Sequence, residues 1–239
     1  LLDQAQGPTK VSNLKEKTKI MKLHDTLYFY REGGMLDCNT YLIKGEKTMI
    51  VDVGLDKNLA SLISALQKDG IDPETVDIIT NTHLHVDHTW GNEEFKEKSE
   101  ARIEIAPIQK KHYAVSVRQT SQFFGLTPVE FKEDGLIDSL MKLGNVEVEV
   151  ISTPGHSPGS VCFYCKPTKA LICGDLIFDQ STGRSDLPGG DGEQLKQSIE
   201  KIAELEIDFL LPGHMGIITD KEKIKQNFEY VRTNVFPWL

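Results

Sequence analysis

The sequence predicts an α/β protein of the α+β kind, in which two halves each run from strands into helices and pack sheet against sheet with helices outside. Three observations carry this expectation. Short β-rich runs bounded by turn residues open both halves, and helical periods close them. A chain of 239 residues with 39% hydrophobic content is long enough to bury an ample core. No short repeat, low-complexity tract or Pro/Ser linker divides it, so 1–239 reads as a single domain.

The first third reads as a strand meander. TKIMKL, TLYFYR, NTYLIKG and KTMIVDVG are short and β-rich, and GG and GE punctuate them as turns do. A helix follows in DKNLASLISALQKDG, where Leu59, Leu62, Ile63 and Leu66 recur at helical spacing, with Asp56 as expected N-cap and Gly70 as stop. TVDIITNTHLH predicts a buried strand ending in a crowd of histidines. From about 106 to 138 the pattern is irregular: a helix over PIQKKHYAVSVRQTSQFF, then a loop over GLTPVEFKEDG, together a segment able to cap a site. Strands return in NVEVEVIST, SVCFYC and ALICGD. Of the two helices that follow, DGEQLKQSIEKIAEL opens with a capping-box pair, Asp191 and Gln194, and DKEKIKQNFEYVRTNVF aligns Ile224, Phe228, Val231 and Val235 on one face. Between them IDFLLPGH reads as a short strand ending in a histidine.

Composition excludes several roles. A formal net charge of -9 opposes general binding of a nucleic-acid backbone, which needs clustered cationic charge, so no nucleic-acid partner is expected. No apolar stretch approaches the roughly 18 residues of a membrane span, and LLDQAQGPTK lacks a signal-like apolar core. No membrane partner is therefore expected, and the expected location is cytoplasmic. The chain starts at Leu1 rather than Met, which leaves a removed leader and a truncated start both open. Cys38, Cys162, Cys165 and Cys173 are too few and too scattered for a disulfide framework, so free thiols are expected. The C-x-x-C of VCFYC lies in a strand pattern, where residues three apart face opposite ways, and its cysteines are expected to be buried.

The residues with chemistry concentrate at strand ends. THLHVDH packs three histidines and an aspartate into seven residues. Extended backbone would turn His83 and His85 to one side, with Asp87 and His88 in the turn beyond. Imidazole and carboxylate suit zinc-, iron- or manganese-type ions, and this segment alone fills no coordination shell, so further ligands must come from elsewhere. His156 in TPGHSPGS, Asp175 in ICGDLIF and His214 in LPGHMG each follow a strand-like run beside a glycine. Five of the seven histidines occupy such turns, leaving His24 and His112 as ordinary ones. Singly, each histidine would be a hydrogen-bonded surface residue and Asp175 a cap or turn former; together they read as ligands.

In this order, THLHVDH, PGHSPGS, GDLIF and PGH resemble the metallo-β-lactamase superfamily, and the resemblance runs from NTYLIKG and IVDVG to His214. It implies a four-layer αβ/βα sandwich with a dinuclear metal site at one edge. It also implies two divalent ions, zinc first and iron or manganese otherwise: His83, His85 and His156 on one, Asp87, His88 and His214 on the other, Asp175 bridging. Asp52 in VDVG matches an acidic position near the site and would support the ligands from behind. Paired cations lower the pKa of a shared water and polarise a carbonyl, so no protein nucleophile is needed. Ser157 and Ser160 then read as turn residues, and Asp87 as the catalytic group that orients the hydroxide or takes a proton.

The superfamily hosts β-lactamases, thioesterases, lactonases, nucleases and sulfur dioxygenases, so fold does not name the substrate. Asp175 resembles the glyoxalase II, lactonase and nuclease branches rather than β-lactamase branches that carry cysteine there. Phe178 stands where acyl-homoserine lactonases typically have a tyrosine, and it cannot donate a hydrogen bond. GDLIFDQSTGRSDLPGGD looks most like the short prokaryotic relatives of glyoxalase II, implying a hydrolase of small acyl thioesters, or of related esters and lactones. Arg184 matches the basic position that holds a glutathione carboxylate in glyoxalase II, with an ion pair to Asp186 as its structural alternative. Asp186 and Gly216 depart from that pattern, standing where glyoxalase II carries tyrosines, and the stretch after His214 is too short for its glutathione-binding helical domain. Phe123, Phe124 and Phe131 are candidates to line an apolar pocket, with core packing as the alternative. Other readings are a mononuclear iron persulfide dioxygenase using His83, His156 and Asp175, an acyl-homoserine lactonase or weak β-lactamase, a nuclease, and a non-enzymatic metal-binding module.

Overall fold

A computed structural model describes residues 21–34 and 36–239. The run TKIMKL lies partly outside the described residues, and LLDQAQGPTK wholly so.

Seven strands form the first sheet in sequence order: β1 (Met21–His24), β2 (Leu27–Tyr30), β3 (Thr40–Lys44), β4 (Thr48–Val51), β5 (Ile78–Thr80), β6 (Arg102–Ile105) and β7 (Gly135–Leu136). The first four pair antiparallel as neighbours in a meander. The β4, β5, β6 and β7 pairings are parallel, so each needs a crossover. Helix α1 (Asp56–Lys68) supplies the first, and α2 (Val86–Thr89) with α3 (Asn92–Ser99) the second. The third comprises α4 (Pro107–Lys111), a π-helical turn over Ala114–Gln119, and α5 (Thr120–Phe123).

The second half contributes β8 (Leu140–Lys142), β9 (Glu147–Ser152), β10 (Val161–Cys165), β11 (Ala170–Gly174), the hairpin β12 (Ile177–Phe178) and β13 (Ser181–Thr182), helix α6 (Gly192–Ala203), β14 (Phe209–Pro212) and α7 (Lys221–Asn234). The second sheet runs β14-β11-β10-β9-β8, and α6 is the crossover that makes β14 parallel to β11.

Strand alternation sorts the core into three apolar layers, because successive residues point to opposite faces. Leu27 and Phe29 of β2 join Val148, Phe163, Ile172 and Leu211 between the two sheets. Tyr28 and Tyr30 turn the other way, onto Leu59, Leu62 and Leu66 of α1 and Phe95 of α3. On the far side, Cys162, Leu171 and Leu210 meet Leu195, Ile199 and Ile202 of α6 and Ile224, Phe228 and Val231 of α7. The order is helix, sheet, sheet, helix: the expected αβ/βα sandwich. All four cysteines are free and buried, and Cys162 and Cys165 face different layers, as three-residue spacing in a strand requires. Among the described residues no helix is long and apolar enough to cross a membrane.

Several elements differ from the sequence reading. Leu55, not Asp56, is the N-cap of α1; Asp56 opens the helix and accepts from Lys57 N. The strand predicted through His85 ends at Thr80. There the chain leaves the ladder, because Thr82 N–H turns to the Asp52 carboxylate at 2.8 Å and Thr82 O accepts from Val161 N of the other sheet at 2.8 Å. The helix expected over 107–124 is broken by its π-helical turn, and β7, within the expected cap, joins the first sheet. The Asp191 pair is half a capping box: Asp191 accepts from Gln194 N and from Gln194 Nε2, while its own N–H goes to Gly155 O. Helix α3 and strand β6 had no counterpart in the sequence reading.

Candidate metal centre

Strand ends from both sheets meet at one edge. Asp52 follows β4, the His83–His88 segment follows β5, His156 follows β9, Asp175 follows β11 and His214 follows β14. His85 is the extended N-cap of α2, which rolls Asp87 and His88 back towards His83. Asn81 Nδ2 holds that turn by donating to His88 O at 2.9 Å, and Gln109 Nε2 donates to Asn81 O at 2.7 Å.

Potential ligand atoms converge in three groups, each within 4.8 Å: His83, His85 and His156; His83, His88 and Asp175; and Asp87, His88 and His214. His156 Nε2 lies 2.9 Å from His85 Nδ1 and 3.2 Å from His83 Nε2. Asp175 faces both sides, with Oδ1 3.4 Å from His88 Nε2 and Oδ2 3.6 Å from His156 Nε2 and 3.4 Å from His214 Nε2. Asp87 Oδ2 is 3.3 Å from His214 Nε2.

The opposite ring nitrogens determine what those facing atoms can do. His156 Nδ1 donates to Arg184 O at 2.7 Å, so a neutral ring presents a bare lone pair at Nε2. His83 Nδ1 lies 3.2 Å from Thr82 Oγ1, His88 Nδ1 3.0 Å from Asp52 Oδ2, and His214 Nδ1 3.0 Å from Glu32 Oε2. His88 Nε2 and Asp175 Oδ1 are buried without a hydrogen-bond partner, as is His85 Nε2, the nitrogen opposite the one that faces His156. Lone pairs converging on one another, with polar groups behind four of the five rings, are a donor set that divalent cations satisfy. The residues fit divalent metal ions.

Electrostatics separate the two sides. Burial, reinforced by neighbouring imidazoles, pushes His83 well below its ordinary range and His85 down to about 3, and burial lowers His156. At His214 burial opposes the charge, but hydrogen bonds to Asp175, Asp87 and Glu32 outweigh it and raise the group to about 12. His88 is likewise raised against its burial by Cys38, Asp52, Asp87 and Asp175. Asp87 and Asp175, against the effect of burial, are held below the ordinary carboxylate range by His88 and His214. The backbone is built close around them: a Cβ on Gly213 would press into Asp175 Oδ1 and lie 2.7 Å from His88 Cε1.

A cavity of about 250 Å³ opens over the cluster, lined by His85, Asp87, His156, Asp175 and His214 and walled by Val86, Thr120, Phe124, Phe178, Arg184 and Leu187. Phe178 and Phe124 thus reach it, whereas Phe123 lies outside, 55% exposed and edge-on to Phe124. Phe131 packs in the core against Tyr113. Arg184 stands at the cavity wall, but its guanidinium grips Asp186 through two 2.8 Å contacts. Asp52 is wholly buried behind the site. Sequence reasoning missed Glu32, Asn39 and the carbonyl of Arg184. A carboxylate in the loop after a strand was the available signal for Glu32, but sequence distance from His214 hid the pairing.

Comparison with known proteins gives a consistent picture. Residues 33–214 match the model of the metallo-beta-lactamase superfamily. A probable metallo-hydrolase of Methanocaldococcus jannaschii is 37% identical over 191 residues, covering 77% of this chain and 89% of that protein. Glyoxylase B2 of Dictyostelium discoideum is 32% identical over 155 residues, 62% of this chain and 51% of that protein. Among solved structures, the BLEG-1 B3 metallo-beta-lactamase superposes with a TM-score of 0.71 at 28% identity, over 83% of this chain and 97% of that one. TTHA1623 in a di-iron-bound form gives 0.68 at 28% identity, over 86% and 98%.

Proposed function

The chain belongs to the metallo-β-lactamase superfamily, and from that premise we propose that it is a two-metal hydrolase of small acyl thioesters, with related esters and lactones as further substrates. The observation that carries this reading is the position of Asp175, whose two oxygens face both imidazole groups at the floor of the cavity. His83, His85 and His156 would hold one ion, Asp87, His88 and His214 the other, with Asp175 between them. Zinc suits this nitrogen-rich set, and the di-iron form of TTHA1623 makes iron the alternative.

When bound, such ions supply an activated water near neutral pH and polarise the carbonyl under attack. The chain's own residues supply the rest. Asp87, in the cavity with Oδ2 3.3 Å from His214 Nε2, would orient the attacking water and accept its proton, then return it to the leaving thiolate. Val86, Phe124, Phe178 and Leu187 exclude bulk water around the acyl group. Phe178 offers no hydrogen bond to a substrate oxygen, so the protein side of carbonyl recognition is apolar there.

The thioester preference is supported by the glyoxalase II-like stretch from Gly174 to Asp191 and by the relative named glyoxylase B2. The test is an assay of metal-verified protein against S-lactoylglutathione, a simple lactone and a β-lactam, with oxygen uptake on glutathione persulfide measured in parallel. Thioester cleavage as the fastest reaction supports the proposal. Oxygen uptake by a protein with a single iron, or lactone cleavage without thioester cleavage, overturns it.

A further inference from the structure

His214 reaches the cluster from β14, the last strand of the second sheet, and among the described residues it is the most exposed of the five clustered histidines, with 22% of its side chain accessible. Packing alone therefore holds its ring less than the others. What holds it is a residue from the opposite end of the chain. Glu32 lies just beyond β2 and turns both carboxylate oxygens onto the His214 loop: Oε2 is 3.0 Å from His214 Nδ1, and Oε1 accepts Met215 N–H at 3.1 Å.

Asn39 fixes this arrangement from behind. Its Oδ1 accepts Glu32 N–H at 3.1 Å, and its Nδ2 donates to Pro212 O at 3.0 Å and Met215 O at 3.1 Å. Its backbone N–H donates to Gly213 O at 2.7 Å. Those partners fix which end of the amide points where, since a backbone N–H needs oxygen and two carbonyls need the NH₂ group. The Glu32 and His214 loops are thus clamped together independently of any ligand.

From this geometry we infer that Glu32 is a positioning residue that makes His214 an Nε2 ligand of the second ion, by fixing both its ring orientation and its tautomer. The inference rests on the two-metal reading above. A carboxylate accepts at both oxygens and donates at neither, so the ring nitrogen facing Oε2 must carry a proton, which leaves Nε2, facing Asp87 and Asp175, to bind. Glutamine cannot substitute. Its amide offers one acceptor for two donors, so either Met215 N–H or His214 Nδ1–H loses its partner.

The test is zinc titration of metal-stripped wild type, Glu32→Gln and Glu32→Ala against a competing chelator, with nitrogen NMR of His214 in the zinc-loaded forms. Both variants are expected to hold one ion as tightly as wild type and the other about 10- to 100-fold more weakly. The protonated Nδ1 signal of His214, present in wild type, is expected to be lost or shifted in Glu32→Gln. Unchanged affinity for both ions, or equal weakening of both, overturns the assignment, as does a wild-type His214 bound through Nδ1. A wild type that takes up no divalent ion at all overturns the two-metal reading beneath it, and this inference with it. Melting of the metal-free variants shows whether any weakening comes from unfolding.

Discussion

Asp52 Oδ2 stands 3.0 Å from His88 Nδ1, with both side chains wholly buried. The same carboxylate accepts Thr82 N–H at 2.8 Å and Thr82 Oγ1–H at 2.7 Å, so one side chain ties the end of β4 to the segment that carries four of the clustered residues. Asp52 also sits at a φ of 59°, a left-handed backbone that Asp tolerates better than most residues. Asp52→Ala leaves a buried N–H without an acceptor, at a cost of about 1–3 kcal/mol. It should melt earlier and retain less metal. Asp52→Asn keeps an acceptor for Thr82 N–H, so its melting should fall less while its metal retention still drops. Thermal melts with metal analysis check both; wild-type metal content in Asp52→Ala contradicts the linkage.

Two phenylalanines near the site should respond oppositely. Phe124 lines the cavity and is 47% exposed, so Phe124→Ala should change stability by no more than about 0.5 kcal/mol while raising KM. Phe131 is buried beside Tyr113, whose hydroxyl accepts from Phe131 N and donates to Phe131 O. Phe131→Ala should cost about 3–5 kcal/mol with KM unchanged in whatever protein remains folded. Denaturant melts and steady-state kinetics separate the two, and a Phe131 effect confined to KM would be the contrary result.

The metal-free protein should have a stability maximum near pH 6.5. His83, His85 and His156 are held neutral by burial, His85 down to about 3 against an ordinary 6.5. Below about pH 6.5 the unfolded chain takes up protons that these folded rings refuse, so stability falls as the pH falls. His214 has the opposite sign: raised to about 12, it contributes fully below 6.5, and that contribution is lost as pH rises from there towards 12. His88 follows His214 in direction. Denaturant melts after chelation, at about pH 5, 6.5 and 8, check this. A steady rise of stability across that range would contradict it.

The layers were legible because their signals are local. Strand alternation in β9 and the apolar runs of β10 and β11 each follow from neighbours a few residues apart, as does the helical spacing of Leu59, Leu62 and Leu66. The THLHVDH crowd was visible for the same reason, and the other ligand candidates stood out beside glycines at strand ends. Glu32 and Asn39 were not legible, because their partners in the His214 loop lie more than 170 residues away and only the sheet-on-sheet packing brings them together. The end of β5 was misplaced for a related reason: Thr82 bonds to a side chain just after β4 and a backbone from β10, neither of which a local pattern contains. Phe123 and Phe124 differ by one helical step, which decides which of them enters the cavity.

Under the proposed reading, Asp175 would join two ions into one hydrolytic centre. The most direct measurement is the number of divalent ions per chain, taken with S-lactoylglutathione turnover, in wild type and Asp175→Ala prepared side by side. About two ions with turnover in wild type, and fewer ions with turnover lowered at least ~1,000-fold in a folded Asp175→Ala, is the predicted result. Full turnover by a metal-verified Asp175→Ala protein would contradict the claim.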